Sequence, residues 1–460
     1  MALLVMLVAA LAFVATGCGG DDDDGGGAGA TGAATEAEGG DVEALPASSC
    51  APLEYGGEGT PDALFVSDLP RQGASRLQTD QMTEAIRFII EQRNWQAGDL
   101  KLAYQDCDDS TAQAAKWDPG KCSQNGNAYA DNEKLLAVIG TFNSGCAQVM
   151  IPILNQAPGG AIAMVSPANT LVNLTASGPG IPPDEPDKYY PTGVRNYARV
   201  APPDKYQGAA MAEFAVDQGI ESVYVLNDRE SYGLGVATNF RNAAEHLGIE
   251  VTGFEAYDGT ASSYEALFRG IGQTNPDAVF VGGLIDENGG QLVEDKVKVL
   301  GPNNGDVKLL LPDGFTTDAM FDPAEGGTPD ARGAFFSVAG VPIDEFKGAG
   351  AEFANAFQEE KLGGDAVDPY AIYAAQAAEV VLDAIEQAGA DRAAIIEAIF
   401  ATQVTDGLIG TFEIDDNGDP TGASGAVVGF TIYRGTDKLT TETTVVPKAE
   451  NVEAAAGGAG

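Results

Sequence analysis

The sequence predicts an α/β protein built from two doubly wound lobes of similar size. Three observations carry this reading. Short apolar runs alternate with longer stretches of helical periodicity from residue 61, the alternation restarts after residue 203, and 460 residues exceed one ordinary domain. Strands that alternate with helices imply βαβ units and a parallel sheet covered on both faces, whose strands read as unbroken apolar runs.

Residues 63–67 read as a strand, followed by a helix over 79–94. Residues 100–104 give a second strand and a helical stretch that reaches 132. Residues 135–139 and 161–165 are the third and fourth strands, with a helix between them. Residues 177–191, rich in Pro, Gly and charge, form a surface loop. In the second half, strands fall at 222–226, 249–254, 278–281 and 307–311, again separated by helices. Helices follow at 352–361, 370–387 and 392–401. Strands at 408–414 and 427–434 flank the turn-rich stretch 415–420, and beyond 448 the chain fades into Ala and Gly.

Composition removes several functions. Asp plus Glu number 68 against 25 Lys plus Arg, a net charge of −43. Nucleic acid and anionic membrane surfaces need a basic face that this chain lacks. Hydrophobic content of 44% is ordinary, so acidity does not mean disorder. The single histidine, His246, excludes most His-based triads and multi-His metal sites. It falls late in a predicted helix, where a surface or C-terminal capping role suits it.

The first residues, 2–17, are uncharged, too few for a membrane span and right for a signal-peptide core. Residues 15–18 end in Cys18 and resemble a bacterial lipobox, although Ala15 stands where a larger aliphatic is usual. Residues 1–18 are therefore expected to be a lipoprotein signal with Cys18 lipidated. Residues 19–48, mostly Gly, Ala, Asp, Glu and Thr, are expected to be a flexible acidic tether. The Asp run at 21–24 is read as solvated charge, not as a cation site.

Four cysteines remain: Cys50, Cys107, Cys122 and Cys146. In an exported chain they read as two disulfides with three possible connectivities. No Cys-x-x-Cys pair suggests zinc, and no metal, cofactor or catalytic residue is expected. Gly233 and Gly235 mimic a dinucleotide fingerprint, but Asn227 to Tyr232 separate them from the strand and Thr238 replaces the third glycine.

Chemistry is instead concentrated at two strand-to-helix junctions. Residues 140–146 (Gly-Thr-Phe-Asn-Ser-Gly-Cys) follow the third strand, and 166–170 (Ser-Pro-Ala-Asn-Thr) follow the fourth. Helix N-termini present backbone N–H groups and partial positive charge, which favour a carboxylate. Ser144 and Thr170 either add hydroxyls to such a site or simply cap their helices. Ligands in open α/β sheets sit beyond the carboxyl ends of the strands.

These residues resemble the branched-chain amino-acid (Leu/Ile/Val-type) periplasmic-binding-protein family, the type I solute-binding proteins that feed ABC importers. The resemblance runs through 135–175, with Ile139-Gly140, Ser144 and the 165–170 run, and extends to 104–109, 227–233, 280–283, 312–314 and 408–412. It implies two Rossmann-like lobes joined by a hinge of three crossings, near residues 200, 338 and 410. The lobes would comprise 61–200 plus 339–410 and 201–338 plus 411–447, with 448–460 a disordered tail.

The resemblance also implies a zwitterion trap. Ser144 and Thr170, with the backbone around Ala168 and Asn169, would hold an α-carboxylate. Asp313 would meet the α-ammonium, and Tyr232 would face the ligand across the cleft. Arg71, Arg76 and Leu284 stand where relatives differ, so leucine is not the assumed ligand. Cys107 matches a family disulfide position, which implies the pairs Cys107–Cys146 and Cys50–Cys122. The implied function is an extracytoplasmic, monomeric substrate-binding component. It would capture an amino acid or similar zwitterion for an ABC permease and meet the membrane only through its lipid anchor. A ligand-sensing receptor for an amide or other small solute is the alternative. An exported enzyme is disfavoured by the lone His246.

Overall fold

The protein is represented by a computed structural model that describes residues 42–457. The expected signal segment, Cys18 and most of the tether lie outside the described residues, as does the end of the expected tail, 458–460.

The first lobe runs β1 (Ala63–Leu69), α1 (Arg76–Gln92), β2 (Gln96–Ala97), β3 (Leu100–Asp108), the short pair β4 (Ser110–Thr111) and β5 (Lys116–Trp117), α2 (Pro119–Asp131), β6 (Leu135–Gly140), α3 (Ser144–Asn155), β7 (Ala163–Ser166) and β8 (Tyr197–Arg199). Its sheet has the order β2-β3-β1-β6-β7-β8 and is parallel except at the β2 edge. Asp118 starts α2 by accepting from Lys121 N–H, with Pro119 in the first helical position where its missing N–H costs nothing.

The second lobe repeats the plan with α4 (Asp204–Asp217), β9 (Ser222–Asn227), α5 (Ser231–His246), β10 (Glu250–Ala256), α6 (Glu265–Thr274), β11 (Ala278–Gly282), α7 (Gly289–Leu300), β12 (Lys308–Leu311) and β13 (Phe335–Ala339). The chain returns to the first lobe for α8 (Ala349–Glu360), α9 (Pro369–Ala388) and α10 (Arg392–Phe400). It then forms a small sheet, β14 (Gln403–Gly407), β15 (Gly410–Ile414) and β16 (Pro420–Thr421). A one-turn α11 (Gly425–Val428) leads into β17 (Phe430–Gly435) and β18 (Leu439–Val445), and α12 (Ala449–Ala455) follows. The second sheet has the order β10-β9-β11-β12-β13-β17-β18, antiparallel only at its last two strands.

Alternation of side chains across each strand explains the layering. In β1, Phe65 joins the core under α1 and α9, while Leu64 and Val66 face α2 and α3. In β11, Val279 and Val281 face α6 and α7, and Phe280 faces α4 and α5. Both parallel strands are buried along their whole length.

Four expectations are corrected. The disulfides join Cys50 to Cys107 and Cys122 to Cys146, not Cys107 to Cys146 and Cys50 to Cys122. Residues 50–54 lie antiparallel along β3, which sets Cys50 opposite Cys107, and α2 packs on α3, which sets Cys122 beside Cys146. The end of the expected tether is folded: Leu45 is buried and its N–H donates to Gln105 Oε1 at 2.7 Å. Much of the expected disordered tail is α12, whose Val452 and Ala455 are buried against α4 and α5. The last return to the second sheet comes at β17, later than residue 410, because β14–β16 form a sheet of their own.

Candidate functional site

Counted within each lobe, both sheets have the strand order 2-1-3-4-5, so each has a switch point where neighbouring connections diverge. A crevice opens there at the carboxyl ends of the strands. The two crevices face each other, and a cavity between them is lined by Phe142, Asn143, Ser144 and Ala168 from the first lobe's junctions, Tyr232, Leu284, Asp313 and Gly314 from the second, and Tyr370. At about 20 Å³ it has room for little more than one water, so the lobes stand closed upon it.

On the first-lobe side, Asn143 holds the N-cap position of α3 but makes no side-chain cap bond, and its Oδ1 is buried without a partner. The start of α3 is thus uncapped toward the cavity. Ser144 Oγ accepts from Leu171 N–H at 3.4 Å, so it does not cap its own helix. Ala168 lines the cavity, but its N–H and that of Asn169 both donate to Ser166 Oγ, at 3.1 and 2.8 Å. The expectation that these N–H groups face a ligand is corrected accordingly. Asn169 is buried as a fastener: its amide donates to Phe142 O at 2.9 Å, and its Oδ1 accepts from Tyr197 at 3.3 Å. Thr170 lies behind the wall, fully buried, with an unpartnered Oγ.

On the opposite side, Asp313 opens the turn after β12. Its carboxylate accepts from Tyr232 Oη on one oxygen and from Tyr370 Oη on the other, the latter at 2.6 Å. Tyr232 belongs to the second lobe and Tyr370 to α9 of the first, so this acid is gripped from both sides. Burial raises the Asp313 carboxyl above its ordinary range, and the two hydroxyl donors oppose that rise. Gly314 is required by close approach, since a Cβ there would lie 2.3 Å from Gly283 O. Asp204, at the start of α4, is a second fully buried acid, raised by burial and then by the charge of Asp313.

Arg71 and Arg76 do not reach the cavity. Arg71 pairs with Asp80 and Asp106 at 3.0 and 3.4 Å, and Arg76 with Asp80 at 3.4 Å, so both meet acids of the protein itself. Sequence reasoning missed Tyr370, Phe142 and Asn143 as lining residues. Tyr370 was discoverable, because Asp368-Pro369 marks a helix start and places an aromatic in its first turn.

Paired α/β lobes that close a small cavity between matching switch points define a two-lobed solute-binding protein. The chain belongs to the periplasmic binding protein family, whose model matches residues 69–429. The family is one of extracytoplasmic solute-binding proteins, not of enzymes. The Leu/Ile/Val-binding protein homolog 1 of Brucella abortus is 24% identical, over 83% of this chain and 92% of its own. The fold is similar to that of the leucine-binding protein LivK of Thermotoga maritima, with a TM-score of 0.70 and 23% identity, covering 84% of this chain and 99% of that one. It is also similar to a solute-binding protein of an ABC transporter from R. palustris crystallised with benzoate. That match has a TM-score of 0.64 and 16% identity and covers 84% of this chain and 96% of that one.

Proposed function

We propose that this chain is the extracytoplasmic substrate-binding component of an ABC importer, and that it captures an amino acid or a closely related zwitterion between its lobes. The observation that carries this reading is the polarity of the cavity. A buried acid, Asp313, stands on one wall and the uncapped N-terminus of α3 with Ser144 on the other. An α-ammonium would replace the tyrosine donors on Asp313, and an α-carboxylate would meet Ser144 and the α3 N–H groups. Tyr232 and Tyr370 would then flank the ligand. Phe142 and Leu284 give the remaining wall an apolar character, which suits a modest hydrophobic side chain. One similar structure is named for leucine and another was crystallised with benzoate, and both of those molecules carry a carboxylate.

The small cavity requires opening for entry, and closure follows because the ligand binds the closed state better. Among the described residues no helix is long and apolar enough to cross a membrane. Anchoring through lipidated Cys18, presentation to a permease and a monomeric state complete the reading. Calorimetry on ligand-stripped protein against amino acids, amides and short peptides tests it. At least one amino acid should bind, and Asp313→Asn should weaken it by about 1.5–3 kcal/mol, the worth of a charge-assisted hydrogen bond. Silence across the panel with intact folding overturns the amino-acid reading.

A further inference from the structure

Asp204 is a buried acid to which nothing so far assigns a role. It is 0% exposed, and neither carboxyl oxygen has a hydrogen-bond partner in good geometry. Its N–H donates to Thr170 O at 2.7 Å, which fixes the first turn of α4 against the second junction. Its carboxyl lies against the Thr170 hydroxyl, whose Oγ is equally unpartnered. The next residue, Leu171, donates its N–H to Ser144 Oγ on the cavity wall.

The groups facing Asp204 are few. Asp313 repels it and Arg199 attracts it, but Arg199 already gives its guanidinium protons to Asp419, Asn169 O, Leu171 O and Thr175 Oγ. Tyr232 and Tyr370 spend their protons on Asp313. Of two neighbouring buried acids, the one with two O–H donors is held ionised, and the one with none is the natural proton carrier. Burial and the Asp313 charge push the Asp204 carboxyl well above its usual range, in agreement.

Resting on the zwitterion reading, we infer that Asp204 is a positioning residue that holds a proton in the free protein and releases it to solvent when a ligand ammonium settles beside Asp313. With Asp204 protonated, its O–H is given to Thr170 Oγ. With Asp204 ionised, the Thr170 hydroxyl turns to donate to the carboxylate.

The test is calorimetry of the full chain at pH 7 with the twenty L-amino acids, each binder repeated in phosphate and in Tris to count protons. The wild type should release up to one proton per ligand. Asp204→Asn should release none and bind about tenfold or more weakly. Thr170→Val should lose affinity but keep the proton count, a split that a merely structural role for Asp204 would not give. Equal proton release by wild type and Asp204→Asn, or none by the wild type, overturns the inference. Thermal unfolding without ligand separates this failure from that of the zwitterion reading. A folded-state carboxyl raised above its unfolded value loses stabilisation as pH rises, so Asp204→Asn should gain on the wild type between pH 5 and pH 8. If no amino acid binds but that gain appears, the zwitterion reading and the ligand-coupled release fail together while Asp204 remains the proton carrier. If the gain is absent, Asp204 carries no proton and the inference fails whether or not a ligand binds.

Discussion

The two lobes share one strand order yet are secured by different means. The first lobe carries both disulfides, one tying the segment before β1 to β3 and the other tying α2 to α3. The second carries none and relies on aromatic packing, with Phe240 and Phe280 stacked at 4.0 Å between ring centroids. The same topology thus tolerates covalent or purely apolar reinforcement. The site follows the same division: the first lobe supplies helix N–H groups and a hydroxyl, and the second supplies a carboxylate. On the proposed reading neither lobe alone would neutralise a zwitterion, so closure and recognition would be one event.

The comparison breaks most severely at Phe280. Both rings of the stack are fully buried where α5, through Phe240, packs on Phe280 of β11, so Phe280→Ala removes contacts and leaves a cavity. A loss of about 3–5 kcal/mol is expected. Hydrogen exchange should show the second-lobe sheet losing protection while first-lobe strands keep theirs. Equal loss in both lobes would mean that they unfold as one unit.

The first lobe has its own weak point. Its disulfides close loops whose ends are 57 and 24 residues apart, and each is worth about 3–4 kcal/mol by loop-entropy reasoning. Replacing Cys122 and Cys146 with Ala should lower first-lobe protection by about that amount. The second lobe should be indifferent to the replacement and to reductant. A second lobe that loosens equally would remove the distinction between the lobes.

The strands that were legible in the sequence are those covered on both faces, because burial on both sides leaves an unbroken apolar run. β1, β6, β9, β11 and β12 fall close to where such runs place them. β8, only Tyr197–Arg199, is too short to leave a period, and it ends on a buried arginine that reads as surface. β13, Phe335–Ala339, carries a buried Ser337 that interrupts its apolar signal. β14 is mostly exposed and contains Asp406 at φ 56°, so neither composition nor alternation marks it. Of the cavity lining, Ser144, Ala168, Tyr232 and Asp313 were legible, since strand ends are where α/β sheets bind. Tyr370 was not placed there because it arrives from α9, more than two hundred residues beyond the first junction. The disulfide pairing was equally hidden: which cysteines meet depends on how α2 packs and where residues 50–54 lie.

Where the lobes meet away from the cavity, the contrast between them narrows to a single carboxylate. Asp286, after β11, accepts from Ala74 N–H at 2.6 Å, Ser75 N–H at 3.3 Å and the Ser75 hydroxyl. Ser75 is the N-cap of α1 but makes no cap bond with its own helix, so the opposite lobe caps α1 in trans. Lys116 adds ion pairs to Glu287 and, at 3.7 Å, to Glu230 on the same rim. These bonds join one lobe to the other and would break on opening, so Asp286→Ala should weaken ligand binding without touching the cavity. A lost cap is worth about 1 kcal/mol, or about fivefold in affinity. Burial at this interface raises the Asp286 carboxyl to about 6, whereas in an open protein it would return toward about 3.9. Closing therefore takes up a proton between those values. The contribution of Asp286 to wild-type affinity should fall as pH rises from about 4 to 6 and level off above. Because Asn does not titrate, Asp286→Asn should flatten that slope, and the loss in Asp286→Ala should be larger at pH 5 than at pH 7. An unchanged slope in Asp286→Asn would show that the rim contact does not respond to closure.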